Sequence, residues 1–410
     1  MPYGFYNLSF FKLELVIMTV QKRRVLILGG GFGGIKAALE LSSNPKFEVS
    51  LLSDQDNFRY YPTLFRMATG GKKTASSIPL DEIFNDKAVS IIKDGAKILD
   101  RTAKTVKGVS GAKYNYDDLI VALGAVTNFF DIKGLAEYSY GIKSLDEAGR
   151  LRAHLHKLII DDGKPDLNYV IIGAGPTGVE LAGALPAYLQ HIIKQHKVPP
   201  KKINIELVEA APKILPRMPR RYSRAVTKQL KRLGIKLYLG QAVEAETVDE
   251  LMVGGKPIKS HTVVWTAGVT NHPFFKANGF ALDEHGKVVV NPFLQAEDNI
   301  FVIGDNASTP YSGMAQTALY DAAFVSRNLV RVANGKRPEA YIPKRPVTII
   351  PIGHGWAAVQ WAKLCLFGRS GWLLRGFADF IAFHDFEPWW QAGQHLMAEF
   401  GEENDCKVCK

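Results

Sequence analysis

Two short stretches of this chain share a spacing suited to holding phosphate. Gly29-Gly30-Gly31-Phe32-Gly33-Gly34 follows the apolar run 25–28, and Gly173-Ala174-Gly175-Pro176-Thr177-Gly178 follows the apolar run 169–172. Each then opens a helical pattern. Gly29, Gly31 and Gly34 suit three demands: a tight turn, close backbone approach to a pyrophosphate, and close helix–strand packing. Gly173, Gly175 and Gly178 repeat them. The anion would rest on backbone amides at a helix N-terminus. One such loop serves one dinucleotide, so two point to electrons passing between two dinucleotides.

Acidic and polar residues at strand ends refine this reading. After the strand at 49–52 comes Ser53 and then Asp54, the expected partner of a ribose, or a plain turn acid. The strand at 203–208 ends on Glu209. A carboxylate there accepts from a ribose 2′-OH and repels a 2′-phosphate, which favours NADH over NADPH; Lys213 and Arg217 soften that preference. Glu180 is expected on the first turn of the second helix. There it either complements the helix dipole or faces the nicotinamide. Asp305, after the run 299–304, suits a flavin ribityl chain or an ordinary helix cap. Gln316, on the first turn of a helix from about 313 to 332, suits the polar wall of a flavin ring or of a second substrate.

The elements that must position these residues follow from periodicity. Residues 23–52 read as strand, turn, helix, strand, and a second such unit begins near Asn168. Residues 88–125 read as a meander of short strands, the first at 89–92. The last is a buried strand stopped by Gly124. Gly268 stops another buried strand at 263–267. Residues 191–202, basic and proline-containing, read as an insertion on a crossover. Residues 372–383 read as an amphipathic helix with Arg375 and Asp379 paired at i,i+4. Five of the six Trp lie beyond residue 335, beside Lys and Arg. That mixture suits a membrane interface, and equally a dimer interface or ordinary core.

Composition sets outer bounds. The chain has 410 residues, 47% hydrophobic and 22% charged, enough for two or three domains. The net charge of +11 favours anionic partners. No basic block or zinc-finger spacing supports nucleic-acid binding. Cys365, Cys406 and Cys409 make no disulfide framework, and Cys406-x-x-Cys409 lacks the second pair a zinc site needs. No run reaches the roughly 18 to 20 apolar residues of a membrane span. The apolar patch at 10–17 holds two charges and lacks a signal-peptide cleavage site. With Met18 close before the first strand, the leader reads as a disordered or misassigned extension.

Together the motifs resemble type II NADH:quinone oxidoreductases, single-chain flavoproteins. The likeness runs from about Arg23 to Val332. It rests on GAGPTGVELAG at Gly173–Gly183, YDDLIVALGAVTNFF at Tyr116–Phe130, VWTAGV at Val264–Val269, FVIGDNA at Phe301–Ala307 and Ala315-Gln316-x-Ala318. The resemblance implies an α/β fold with two Rossmann-like domains, the NADH domain inserted in the FAD domain. The implied division is a leader at 1–21, an FAD-binding part at 22–140, an NADH-binding domain at 141–269, a second FAD-binding part at 270–335, and a membrane-docking or dimerisation region at 336–410. It implies that Gly29, Gly31, Phe32 and Gly34 hold FAD, with Ala96 near the adenine, Gly124 at a strand end and Asp305 at the ribityl chain. Gly173, Gly175, Gly178, Glu180, Glu209 and Gly268 would line the NADH site. Ala315, Gln316 and Tyr320 would border the flavin ring and the quinone entry, with Glu180, Gln316 and Tyr320 closest to the chemistry. The implied activity is non-proton-pumping hydride transfer from NADH to FAD, then electron transfer to a quinone, at the cytoplasmic side of the cell membrane.

Three departures stand out: Ser53 at the ribose-acid position, Tyr320 where the family has a second Gln, and an unfamiliar tail from His354 to Trp389. Disulfide-reducing relatives need a Cys pair after the first fingerprint, and residues 35–80 hold none. Reduction of a soluble electron carrier, or nucleotide sensing without catalysis, would use the same two sites.

Overall fold

The structure is a computed structural model describing residues 22–161, 163, 165–199 and 202–400. The leader at 1–21 and the pair Cys406 and Cys409 lie outside the described residues.

The first apolar run forms β1 (Arg23–Leu28), and α1 (Phe32–Ser42) and β2 (Phe47–Ser53) follow. A short helix, α2 (Leu64–Ala68), precedes β3 (Val89–Lys93). β3 pairs in parallel with β2 in the main sheet, which corrects the expectation of a meander starting at 89. It is an edge strand with Ile91 exposed, so its sequence lacks the unbroken apolar run of a central parallel strand. The antiparallel meander is β4 (Ala96–Asp100), β5 (Thr105–Gly108) and β6 (Lys113–Asn115). β7 (Asp118–Val121), buried throughout, returns to pair with β1, and β8 (Ala125–Thr127) leaves the sheet.

The second unit begins with α3 (Leu145–His156), closed at its start by a reciprocal Ser144–Glu147 capping box. Then come β9 (Asn168–Ile172), α4 (Pro176–Gln195), β10 (Asn204–Glu209), α5 (Arg220–Arg232) and β11 (Lys236–Leu239). The stretch from 191 to 195 completes α4 and is not part of an inserted loop. An antiparallel meander of β12 (Val243–Glu246), β13 (Glu250–Val253) and β14 (Lys256–Lys259) precedes β15 (Thr262–Trp265). β16 (Val269–Asn271) then pairs antiparallel with β8, so a two-stranded ribbon joins the units where the chain leaves and returns. β17 (Gln295–Glu297) and β18 (Ile300–Val302) complete the first sheet, and α6 (Ala315–Ala333) covers it beside α1.

The two main sheets repeat one plan. The order is β17-β18-β7-β1-β2-β3 in the first and β11-β10-β9-β15 in the second. In each, the strand before the glycine loop lies between its sequence successor and a late-returning strand. That is the switch point at which a doubly wound sheet opens a crevice.

Beyond residue 336, the expected amphipathic region contains more than helices. β19 (Thr348–Pro351), β20 (Ala357–Trp361) and β21 (Leu364–Gly368) form an antiparallel sheet ahead of α7 (Arg369–His384) and α8 (Trp389–Phe400). This sheet packs on the second unit. A Cβ on Gly183 of α4 would meet the Gly353 amide nitrogen at 2.7 Å, and the Tyr222 hydroxyl of α5 donates to the Ala358 carbonyl at 2.7 Å. The helices pack on the first unit instead: Phe383, Phe386 and Ala392 share a core with Phe32, Phe58 and Tyr60. The C-terminal region therefore straddles both units.

Candidate functional site

The two glycine loops share the same close approach between helix start and strand end. A Cβ on Gly34 would meet the Gly29 carbonyl oxygen at 1.9 Å, and one on Gly178 would meet the Gly173 carbonyl oxygen at 1.9 Å. Only glycine lets each helix start touch the preceding strand end. Gly29 and Gly173 have φ of +107° and +98° and press against the ends of β7 and β15, at Ala122 and Ala267. The middle glycines differ in kind: beside Gly31 and Gly175 a Cβ would meet nothing within 4 Å. They cap α1 and α4 without any side-chain bond to the first helical amides. The backbone thus leaves open concavities at helix N-termini, a shape and polarity that fit a pyrophosphate.

Strand register makes the loops unequal. Gly29 N–H donates to Leu52 and Gly173 N–H to Val208, both at 2.8 Å, so Ser53 and Glu209 occupy equivalent positions. Glu209 accepts from the Ala174 and Ala211 amides at 2.7 and 2.8 Å, holding its carboxylate beside the second loop. Ser53 is buried, donates to the Gln55 carbonyl at 2.8 Å, and lies where a Cβ on Gly30 would meet its Oγ at 2.6 Å. The close approach constrains residue 30 to glycine while Ser53 faces it. Asp54 is one residue further on, exposed, with its charge acting on Tyr61 and His272.

Around the first loop, Gly124 turns with φ +71° at the end of β7. Asn306 pins that turn: it accepts from Gly124 N–H at 2.8 Å and donates to the Gly124 carbonyl at 2.7 Å and to Asn271 at 2.6 Å. Asp305, in the turn after β18, is half-buried. Its charge acts on Lys143 and Lys287, whose burial otherwise pushes their pKa down. The Gly304 amide before it donates at 3.0 Å to Asp321, fully buried on α6, and Tyr341 donates to the other oxygen. Burial pushes the Asp321 carboxyl up to about 6. Ala96 starts β4, half-buried over the core beneath the first sheet.

Ala315 and Gln316 open α6, and Gln316 Oε1 accepts from Val347 N–H at 2.7 Å. Tyr320 lies one turn on, with the Lys344 ammonium 5.4 Å from its ring centre. Burial raises its pKa, and Asp385 adds to the rise. Gly268 follows β15 under the Phe130 ring, which a Cβ would meet at 2.5 Å. Glu180 is the fifth residue of α4, beyond its first turn, and its charge acts on the Tyr222 hydroxyl. The expected first-turn placement is corrected: the helix begins at Pro176, immediately after the capping glycine.

Sequence reasoning missed Asn306 and Asp321. Asn306 stood within the quoted FVIGDNA motif, and a side chain able to both donate and accept beside Gly304 was the available signal. Asp321 carried a weaker one, the one acid on the buried face of α6.

Residues 23–323 match the family described as Pyridine nucleotide-disulphide oxidoreductase. The chain is 28% identical over 386 residues to the type II NADH:quinone oxidoreductase NdhA of Mycobacterium tuberculosis, covering 86% of this chain and 82% of that protein. It is 28% identical over 344 residues to the type II NADH:quinone oxidoreductase of Staphylococcus saprophyticus, covering 78% and 85%. Among solved structures, NDH2 from Plasmodium falciparum in complex with NADH matches with a TM-score of 0.83 at 17% identity, over 93% of this chain and 98% of that one. The sulfide:quinone oxidoreductase of Aquifex aeolicus matches at 0.75 and 21%, over 91% and 92%. Two matched glycine loops on one repeated sheet plan, and a family match over more than half its length, agree: the chain belongs to the pyridine nucleotide-disulphide oxidoreductase family.

Proposed function

We propose that this chain oxidises NADH through a bound FAD and passes the electrons to a membrane quinone, as the names of its relatives indicate for those proteins. The observation that carries this reading is the pair of like cradles with unlike ribose positions. Glu209 would hold the adenosine ribose of NADH beside the open amides at Gly175. At the first loop the open cradle at Gly31 fits the FAD pyrophosphate, with Asp305 toward its ribityl chain and Asp54 toward its ribose. FAD supplies the hydride acceptor and the electron relay when bound. The protein's own part is to bind, orient and exclude water. Glu180, Gln316 and Tyr320 remain the residues we assign nearest the chemistry, with Gly124, Gly268, Phe32 and Ala315 as walls and Ala96 near the adenine. The domain division read from the sequence, 22–140 and 270–335 for FAD and 141–269 for NADH, is proposed with it.

Membrane docking is supported by the outer face of the C-terminal helices. Leu373, Phe377 and Ile381 on α7, with Trp389, Trp390 and Met397 on α8, are each more than half exposed. Leu373, Phe377 and Ile381 recur at i,i+4 spacing as one exposed stripe, and exposed apolar surface of this kind marks an interface. With Trp and Lys/Arg at hand, a lipid headgroup layer fits it. Among the described residues no helix is long and apolar enough to cross a membrane. Our reading is that this face docks on the cytoplasmic surface of the cell membrane and that the reaction pumps no protons.

The test is spectroscopic. Purified protein should be yellow and should bleach on anaerobic addition of NADH. A short-chain quinone should restore the colour within the turnover time. A colourless or unbleachable protein would sink the reading. Recovery faster with a soluble one-electron carrier than with quinone would replace the acceptor.

A further inference from the structure

α7 carries its faces in an unusual order. Leu373, Phe377 and Ile381 face outward, while Arg375 and Asp379 are buried, 5% and 4% exposed. The guanidinium donates to the Asp379 carboxylate and, at 3.3 Å, to the Pro62 carbonyl. Asp379 also accepts from the Tyr60 hydroxyl at 2.8 Å. One turn on, Phe383 packs against the Tyr60 ring, centres 4.4 Å apart. Arg375, Asp379 and Phe383 thus grip one short turn, residues 60–62, of the first unit.

The middle residue of that turn has other surroundings. Tyr61 is 38% exposed, with the Arg59 guanidinium 5.7 Å and the Lys143 ammonium 5.5 Å from its ring centre. The carboxylates of Asp305 and Asp54 act on its hydroxyl. The neighbouring Tyr60 ring lies 5.7 Å from the ring of Phe32 in the first glycine loop, so the 60–62 turn borders the residues assigned to FAD, while Tyr60 and Pro62 on either side of Tyr61 are fastened to the membrane-facing helix. A quinone ring has a flat π-face and two carbonyl acceptors, and an aromatic ring flanked by two cationic donors matches both.

A buried ion pair stabilises a fold little, because desolvating two charges offsets their attraction. What it does is forbid sliding, since any shift strands a charge. Resting on the quinone reading above, we propose that Arg375 and Asp379 are positioning residues that lock the 60–62 turn to the membrane-docking helix and so set Tyr61 as the wall a quinone headgroup passes.

The test uses full-length, flavin-loaded protein carrying Asp379→Asn, Arg375→Lys or Tyr60→Phe. Stopped-flow bleaching by NADH reads the first half-reaction, and reoxidation by a short-chain quinone reads the second. Bleaching should stay within about twofold of wild type, while half-saturating quinone rises about fivefold in Asp379→Asn and about two- to threefold in Tyr60→Phe. Arg375→Lys, which keeps the charge and loses the fork, should fall between them. Equal slowing of both half-reactions, or an unchanged quinone dependence, overturns the proposal. If Asp379→Asn does not fold, Tyr60→Phe decides alone, because it keeps the ring packing on Phe383. A wild-type protein that NADH cannot bleach overturns the oxidoreductase reading and this inference with it. One that bleaches, with variants indistinguishable from it, overturns only this inference.

Discussion

Single residues in the two loops separate folding from binding. Gly31 has an ordinary extended backbone and open space beside it. Gly31→Ala should therefore fold with an unchanged apo-protein melting temperature, yet bind flavin at least about tenfold more weakly, a loss of about 1.4 kcal/mol. Gly34→Ala should instead destabilise the fold by on the order of 1–3 kcal/mol, because its Cβ would lie 1.9 Å from a backbone oxygen. Equal melting temperatures for the two variants would overturn this distinction. Glu209→Gln places an NH2 against a backbone N–H, so the KM for NADH should rise by about tenfold and discrimination against NADPH should narrow. Glu246 gives a pH signature. Its Oε2 is buried without a hydrogen-bond partner, and burial pushes its pKa up to about 8. The folded state thus binds a proton that the unfolded state releases near pH 4.5, so stability falls as pH rises from there toward about 8. Glu246→Gln should remove that loss, and its melting advantage should grow with pH across the window. A constant offset would contradict the assignment. Much at this scale was legible, because glycine spacing and strand-end acids are local patterns. Asn306 and Asp321 were not: Asn306 meets Gly124 only after strands 182 residues apart align, and Asp321 meets the Gly304 amide only once its helix packs back on the turn before it.

At the scale of elements, periodicity served the long segments best. The helix at 372–383 and its Arg375–Asp379 pair were legible from spacing alone. The direction of its faces was not. The pattern admits either side as core, and the first unit decides by offering Tyr60 and the Pro62 carbonyl to the charged side. β19, β20 and β21 escaped because they are short and Gly353 and Gly355 interrupt the pattern between the first two. The outward face makes a prediction of its own. Changing Leu373, Phe377 and Ile381 together to Ser removes apolar contacts worth roughly 1.5–3 kcal/mol each when buried. Binding to anionic liposomes should fall more than about a hundredfold, while bleaching by NADH stays intact. Flotation that persists in this variant would point to the basic surface elsewhere.

For the whole molecule, the C-terminal region joins what the glycine loops divide. Its sheet shares a core with α4 and α5 through Ile350, Ile352 and Ala358, and its helices share one with α1 through Phe383 and Phe386. Truncation near residue 345 should therefore not simply release a soluble enzyme. It should expose both cores and lower the melting temperature by several degrees or cause aggregation, as the loss of several buried side chains demands. A truncated protein that stays monomeric with an unchanged melting temperature would show the straddling contacts to be dispensable. The sequence by itself determined that two glycine loops each join an apolar strand to a helix, that an acid ends the strand beside the second, and that the tail is aromatic and basic. Those follow from spacings of a few residues, which local backbone geometry translates directly into turns and helix starts. Tertiary structure alone decided that Ser53 and Glu209 stand at equivalent positions, that Glu180 lies beyond the first turn of α4, and that a buried pair on α7 grips the turn at residues 60–62. These depend on parallel register and on packing between segments from tens to more than 300 residues apart, where a side chain's partner is set by the fold rather than by its neighbours in the chain.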